Sequence, residues 1–178
     1  MTAVRQLLLG NTGPASSAVL SPCGMYRYRL TRRWGNGKHL LAVLHNPSDA
    51  DASVEDPTVR KVVGFAKRWG FDAIEIVNPY AYRSPDPKAL LAAARTGTDV
   101  IGPDNDLHIM AAGAVAPLIV VGWGAIKGPP GHLERLAHVV SLLPSSAPLY
   151  CFGSVGPGGK TPQHPLMAGY TGVAARWR

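Results

Sequence analysis

The residues best able to do chemistry are concentrated in His45-Asn46-Pro47-Ser48 and the acids that follow, Asp49, Asp51, Glu55 and Asp56. The Asn46 amide can hold a water or the edge of a base. A carboxylate at Asp49 or Asp51 can act as general base or stabilise positive charge developing on a sugar ring. Two further groups stand far off in sequence. Asn78 offers a donor and an acceptor side by side, the pattern of a Watson–Crick edge, and His164 can donate to an oxygen that becomes anionic. Tyr80 and Trp123 are rings on which a flipped base can stack. Each has a plainer reading beside it: Asn46 and Asn78 as turn residues, Asp49 and Asp56 as helix caps, Trp123 as core, His164 as a loop residue. For Asp56, followed by Pro57, the cap is the stronger reading.

These residues need elements that bring them together. Leu40 to Leu44 is a short apolar run of the kind that forms a strand buried on both faces. Ala73 to Val77, Leu118 to Gly124 and Ala147 to Gly153 are the further strands, separated by helical patterns at Pro57 to Trp69, Lys88 to Arg95, Leu107 to Ala116 and His132 to Leu143. Strand alternating with helix predicts a three-layer α/β/α sandwich on a short, mostly parallel four-stranded sheet. Ahead of it, Tyr26 to Trp34 alternates apolar and basic residues and leads through Gly35-Asn36-Gly37 into Leu40. This predicts an N-terminal hairpin with glycines at positive φ and arginines on its outer face. In a parallel sheet the carboxyl ends of the strands share one edge. His45-Asn46-Pro47, Asn78-Pro79-Tyr80, Gly122-Trp123-Gly124 and the Gly/Pro-rich loop to His164-Pro165 are therefore expected at one cleft.

Composition narrows the classes. A chain of 178 residues, 46% hydrophobic, suits one domain over 1–178, with 1–24 read as a loosely packed leader. No apolar run approaches the ~20 residues of a membrane span and no signal peptide is apparent, so a soluble cytoplasmic monomer is expected. Cys23 and Cys151 lack metal-binding spacing and are read as free thiols, and no metal or cofactor is implied. The net charge is +7, and Asp49, Asp51, Glu55, Asp56 and Asp72 hold five of the 11 acids. The rest of the surface is strongly basic, which favours a nucleic acid partner. Other chemistries are set aside by spacing. Gly159-Lys160-Thr161 has Ser154 where a phosphate-binding loop needs its first glycine, and Pro162 where it needs a helix. Gly122-Trp123-Gly124 lacks the third glycine of a dinucleotide fingerprint, no Gly-x-Ser-x-Gly elbow occurs, and His108, His132 and His138 lack metal-ligand partners.

One ordered set of motifs goes further: Arg-Arg-Trp-Gly at 32–35, Leu-x-Asn-Pro-Ser-x-Ala-Asp at 44–51, Asp-Pro-Thr at 56–58, Phe-Ala-x-Arg-Trp-Gly at 65–70, Val77-Asn78, Gly-Pro-x-Asn-Asp at 102–106, Trp-Gly-Ala at 123–125 and His164-Pro165-Leu166. With these, from about Tyr26 to Met167, the chain resembles a bacterial and phage family labelled domain of unknown function 1643. That family is similar, more distantly, to the uracil-DNA glycosylase superfamily. There a catalytic loop reading Gly-Ile-Asn-Pro-Gly in the mismatch-specific branch resembles Leu44 to Ser48. An asparagine that reads the base corresponds to Asn78, and a His-Pro-Ser loop that enters the minor groove corresponds to His164 to Leu166. His45 in place of a small residue, and Leu166 in place of serine, suit a bulky or modified base.

The resemblance implies a uracil-DNA-glycosylase-like fold and a monofunctional DNA glycosylase that flips a base and leaves an abasic site, in repair or in antiphage defence against hypermodified DNA. Asn46, Asp49, Asp51 and His164 would be catalytic. His45, Asn78, Tyr80 and Trp123 would bind the base, with Arg32, Arg33 and Lys160 on the phosphates and Leu166 or Met167 wedged into the stack. The alternative is a non-catalytic domain that binds nucleic acid or modified nucleotides, and a third reading is an enzyme of free nucleotides.

Overall fold

The computed structural model describes residues 16–48, 56–84, 86–125, 127–155, 161–170 and 173–178. These form a mixed α/β protein with the strands β1 (Ser16–Leu20), β2 (Arg27–Arg33), β3 (His39–Val43), β4 (Ala73–Val77), β5 (Ile119–Val121), β6 (Leu149–Val155), β7 (Pro162–Gln163) and β8 (Ala175–Arg176). The helices are α1 (Pro57–Arg68), α2 (Pro87–Arg95), α3 (Asn105–Val115) and α4 (His132–Leu142). The sheet runs β1-β2-β4-β3-β5-β6-β7, with β8 also on β6. Its centre, β4-β3-β5-β6, is parallel. The four strands expected from the sequence are this centre, and the described sheet is twice as wide because antiparallel strands extend both edges. No helix among the described residues is long and apolar enough to cross a membrane.

Alternation along β3 divides the core. Leu40, Ala42 and Leu44 pack with Ile74 and Ile76 of β4 and with Val59, Val62, Phe65 and Ala66 of α1. Leu41 and Val43 face the other way, into a cluster with Ile109 and Ala112 of α3 and Val139 of α4. Leu40 and Leu41 are both fully buried, each contributing about 1.5–3 kcal/mol of apolar burial. A run apolar on both faces is what a strand covered by helices on both sides requires.

The N-terminal part departs from expectation. The sequence predicts that Tyr26 to Trp34 pairs with Leu40 to Leu44 as a hairpin, but β4 lies between them, antiparallel to β2 and parallel to β3. The connection wraps around Asp72, whose carbonyl accepts from the Trp34 and Gly35 amides and whose carboxylate accepts from the Gly37 amide at 2.7 Å. Neither Gly35 nor Gly37 has positive φ. They are glycines because a Cβ there would stand 2.7 and 2.1 Å from Asp72 side-chain atoms. The hairpin that does form is β1 with β2, so the leader expected to be loose over 1–24 is a strand at 16–20, and residues 1–15 lie outside the described ones. Arginines also fail to line an outer face. Arg27 and Arg32 are buried, because β2 is an interior strand.

Candidate functional site

Val77, Val43, Val121 and Cys151 stand in one row across β4, β3, β5 and β6. The residues after them therefore leave the sheet along a single edge, where the sequence places the candidate chemistry. The Asp56 cap at the start of α1 is as expected, its carboxylate accepting from the Val59 amide at 2.7 Å and from the Ser48 hydroxyl.

The turn after β4 is pinned from behind. Asn105, fully buried at the start of α3, donates its amide to the carbonyls of Asn78 (2.9 Å) and Pro79 (3.2 Å). Arg135 of α4 donates from Nε to the Pro79 carbonyl at 2.8 Å and is itself held by Asp106 at 2.7 Å. Gly124, at φ 73°, lets the segment before His164 approach, since a Cβ there would be 2.9 Å from the His164 Cβ.

These constraints gather His45, Asn46, Asn78 and His164 around a cavity of about 50 Å³ that Arg27, Ser48 and Asp56 also line. Hydrogen bonding fixes most of its polarity. Asn46 donates its amide to the carbonyls of Pro47 and Ser84, both at 3.1 Å, so its oxygen accepts from His45 Nδ1 at 3.0 Å. His45 therefore carries its proton on Nδ1 and a lone pair on Nε2, which is buried without a hydrogen-bond partner among the described residues. His164 has the opposite tautomer, its Nδ1 accepting the Leu166 amide at 3.3 Å and its Nε2 left as donor. Burial pushes both imidazoles below the usual histidine value; the neighbouring His132 and His164 add to this at His45, against the Asn46 hydrogen bond, and Asp56 opposes it at His164. Asn78 is 1% exposed, and neither atom of its amide has a partner among the described residues.

Other expected site residues stand elsewhere. Tyr80 is buried against the ring of His45, centroids 5.5 Å apart, with its hydroxyl 2.9 Å from His132 Nδ1 and pushed up to about 12 by burial. Trp123 is core, edge-on to Trp177, and faces a separate cavity of about 460 Å³ rather than the one at Asn78. Arg32 is buried and donates to the Thr31 carbonyl, while Arg33 holds the carbonyls of Gly35 and Gly37. Leu166 and Met167 are exposed on a 3-10 turn directly after His164. Asp49, Asp51 and Lys160 lie outside the described residues. Sequence reasoning missed Arg27, Asn105 and Arg135. Asn105 and Asp106 stand in the sequence only as part of the Gly-Pro-x-Asn-Asp motif, and their contacts reveal that they anchor the Asn78 turn.

Fold and edge define an α/β protein whose polar groups converge at the carboxyl ends of parallel strands. Residues 27–166 match the family described as protein of unknown function (DUF1643), and the chain belongs to that family. No curated protein and no solved structure matches it.

Proposed function

We propose that the chain is a DNA glycosylase, on a fold of the uracil-DNA glycosylase kind, that flips a modified or non-standard base and hydrolyses its N-glycosidic bond. The Asn78 amide carries this reading. A buried amide left unpaired costs about 1–3 kcal/mol, so a ligand that pairs both its donor and its acceptor accounts for its retention. A base edge is such a ligand. In the reaction the water oxygen bonds to C1′ as the C1′–N bond breaks. Asp49 or Asp51 takes the proton, and the electron pair leaves with the base, to which His164 Nε2 donates. An abasic product without strand cleavage is expected.

Exposed Leu166 and Met167 beside His164 support a wedge, and the net charge of +7 supports a polyanionic partner. About 50 Å³ is room for one or two waters, each about 30 Å³ in the liquid, so a base must widen the cavity as it binds. In the cell such an enzyme acts in the cytoplasm, in repair or against hypermodified phage DNA. Duplexes carrying uracil, mismatches and modified cytosines or thymines, treated with alkali after incubation, test the proposal. Strand breaks at one class of base are expected, and intact glycosidic bonds across the panel would sink it.

The engagement of both Asn46 amide protons by backbone carbonyls favours a second reading, a binding domain that kept the fold and lost the chemistry. Under it, Asn46→Ala and His164→Ala leave biological activity intact.

A further inference from the structure

We infer that the site selects by counting hydrogen-bond donors: it takes a base with an exocyclic amino group, a modified member of the cytosine, adenine or guanine classes, and rejects uracil and thymine. This rests on the base-binding reading of Asn78.

The argument starts from the network behind His45. The Pro47 and Ser84 carbonyls take both protons of the Asn46 amide, the Asn46 oxygen takes the Nδ1 proton of His45, and Nε2 is left with a lone pair alone. His45 is 3% exposed and lines the same cavity as Asn78. Its ring is held on two sides, by Tyr80 and by His132, with centroids 5.5 Å away in each case. Burial keeps the ring neutral, against the pull of the Asn46 hydrogen bond and with the help of His132 and His164. Arg27 and Asp56 are the charged groups that also line the cavity.

For the edge of a base the site thus offers the Asn78 amide, which donates from Nδ2 and accepts at Oδ1, and a further acceptor at His45 Nε2, with the His164 Nε2 donor kept for the departing base. A base that satisfies all three brings two N–H donors and one acceptor. Cytosine and adenine have both protons of the amino group beside a ring nitrogen, and guanine has its ring N–H, its amino group and its carbonyl. Uracil and thymine have a single N–H on this edge. Asn78 takes it, and His45 Nε2 is left buried and unpaired, a loss of about 10- to 100-fold in affinity or rate.

The matched pairs 5-methyldeoxycytidine with thymidine, and deoxycytidine with deoxyuridine, isolate the amino group. The full chain is titrated with each nucleoside while the ¹⁵N resonances of His45 are followed, and the same bases are assayed for excision from duplexes. The amino member of each pair is expected to bind, or to be excised, about 10- to 100-fold better, with a shift at Nε2. His45→Leu is expected to bring the ratio within each pair close to one. Because the ratio is read within one variant, partial loss of folding does not mimic the result. Equal treatment of the two members, or an unchanged ratio in His45→Leu, overturns the donor rule. A clear nucleoside preference with no excision from any duplex leaves the rule standing and removes the glycosylase reading. Excision of uracil as fast as cytosine does the reverse. No binding and no excision removes both.

Discussion

Glu75 and Asn78 are three residues apart, both almost fully buried, and they solve burial in opposite ways. Glu75, in the middle of β4, is paired with the Arg29 guanidinium and has His39 Nε2 at 3.8 Å. Asn78, just past the strand, has its backbone carbonyl tied to Asn105 and its side chain paired with nothing among the described residues. A charge inside the sheet must be compensated for the chain to fold. A neutral amide at the edge can be left open, at modest cost, for a ligand to complete. The strand therefore separates a polar group that serves stability from one that serves binding.

Breaking the paired member has the largest expected effect. Glu75→Ala leaves the half-buried Arg29 without its partner and should lower unfolding free energy by about 3 kcal/mol in a urea titration. Asn46→Ala comes next. It releases the Pro47 and Ser84 carbonyls and His45 Nδ1, a loss of about 2 kcal/mol by the same measurement, and it frees the His45 tautomer. Asn78→Leu should go the other way, raising stability by about 1 kcal/mol while abolishing binding, since it removes a buried group with no partner among the described residues. Destabilisation as large as that of Glu75→Ala would erase the distinction between the two residues.

The smallest effect is that of pH. His39, His45, His108 and His164 are all held below the usual imidazole value, burial being the largest cause in each. The unfolded chain then binds more protons below about pH 6.5, so stability is full above that value and falls as pH drops through it. Melting temperatures at pH 5 below those at pH 7.5 are expected, and equal ones would contradict the buried neutral state of these rings.

Periodicity and punctuation made the parallel centre legible. Leu40 to Leu44 is apolar throughout and Ala73 to Val77 is apolar but for Glu75, and Asp56-Pro57 marks a helix start by local chemistry alone. The pairing of β2 was not legible, because which strand a strand adopts depends on partners far along the chain. Its alternating arginines read as an exposed face only while it is taken for an edge. At the site, Asn78 and His164 were found from their donors and acceptors, and the strand-end rule placed them together. Ring type marks Tyr80 and Trp123 as surfaces for stacking, but it does not say that Tyr80 packs on His45 while Trp123 packs on Trp177. The polarity of His45 depends on three hydrogen bonds, one from Asn46 to a carbonyl 38 residues on, beyond the reach of local pattern.

The insertion of β4 between β2 and β3 also bears on how the chain reaches its native state. A hairpin of β2 with β3 is the nearest pairing in sequence and can form before β4 exists as a partner, yet it occupies the edge that β4 must take. Loop closure favours the short connection, so the native order competes with a quicker misregistered one. Asp72 is the residue that tells them apart, since its carboxylate and backbone hold the 34–38 connection only once β4 has arrived. Asp72→Ala should slow refolding more than it speeds unfolding in stopped-flow measurements. A change confined to unfolding would mean that the connection closes after the strands have already sorted.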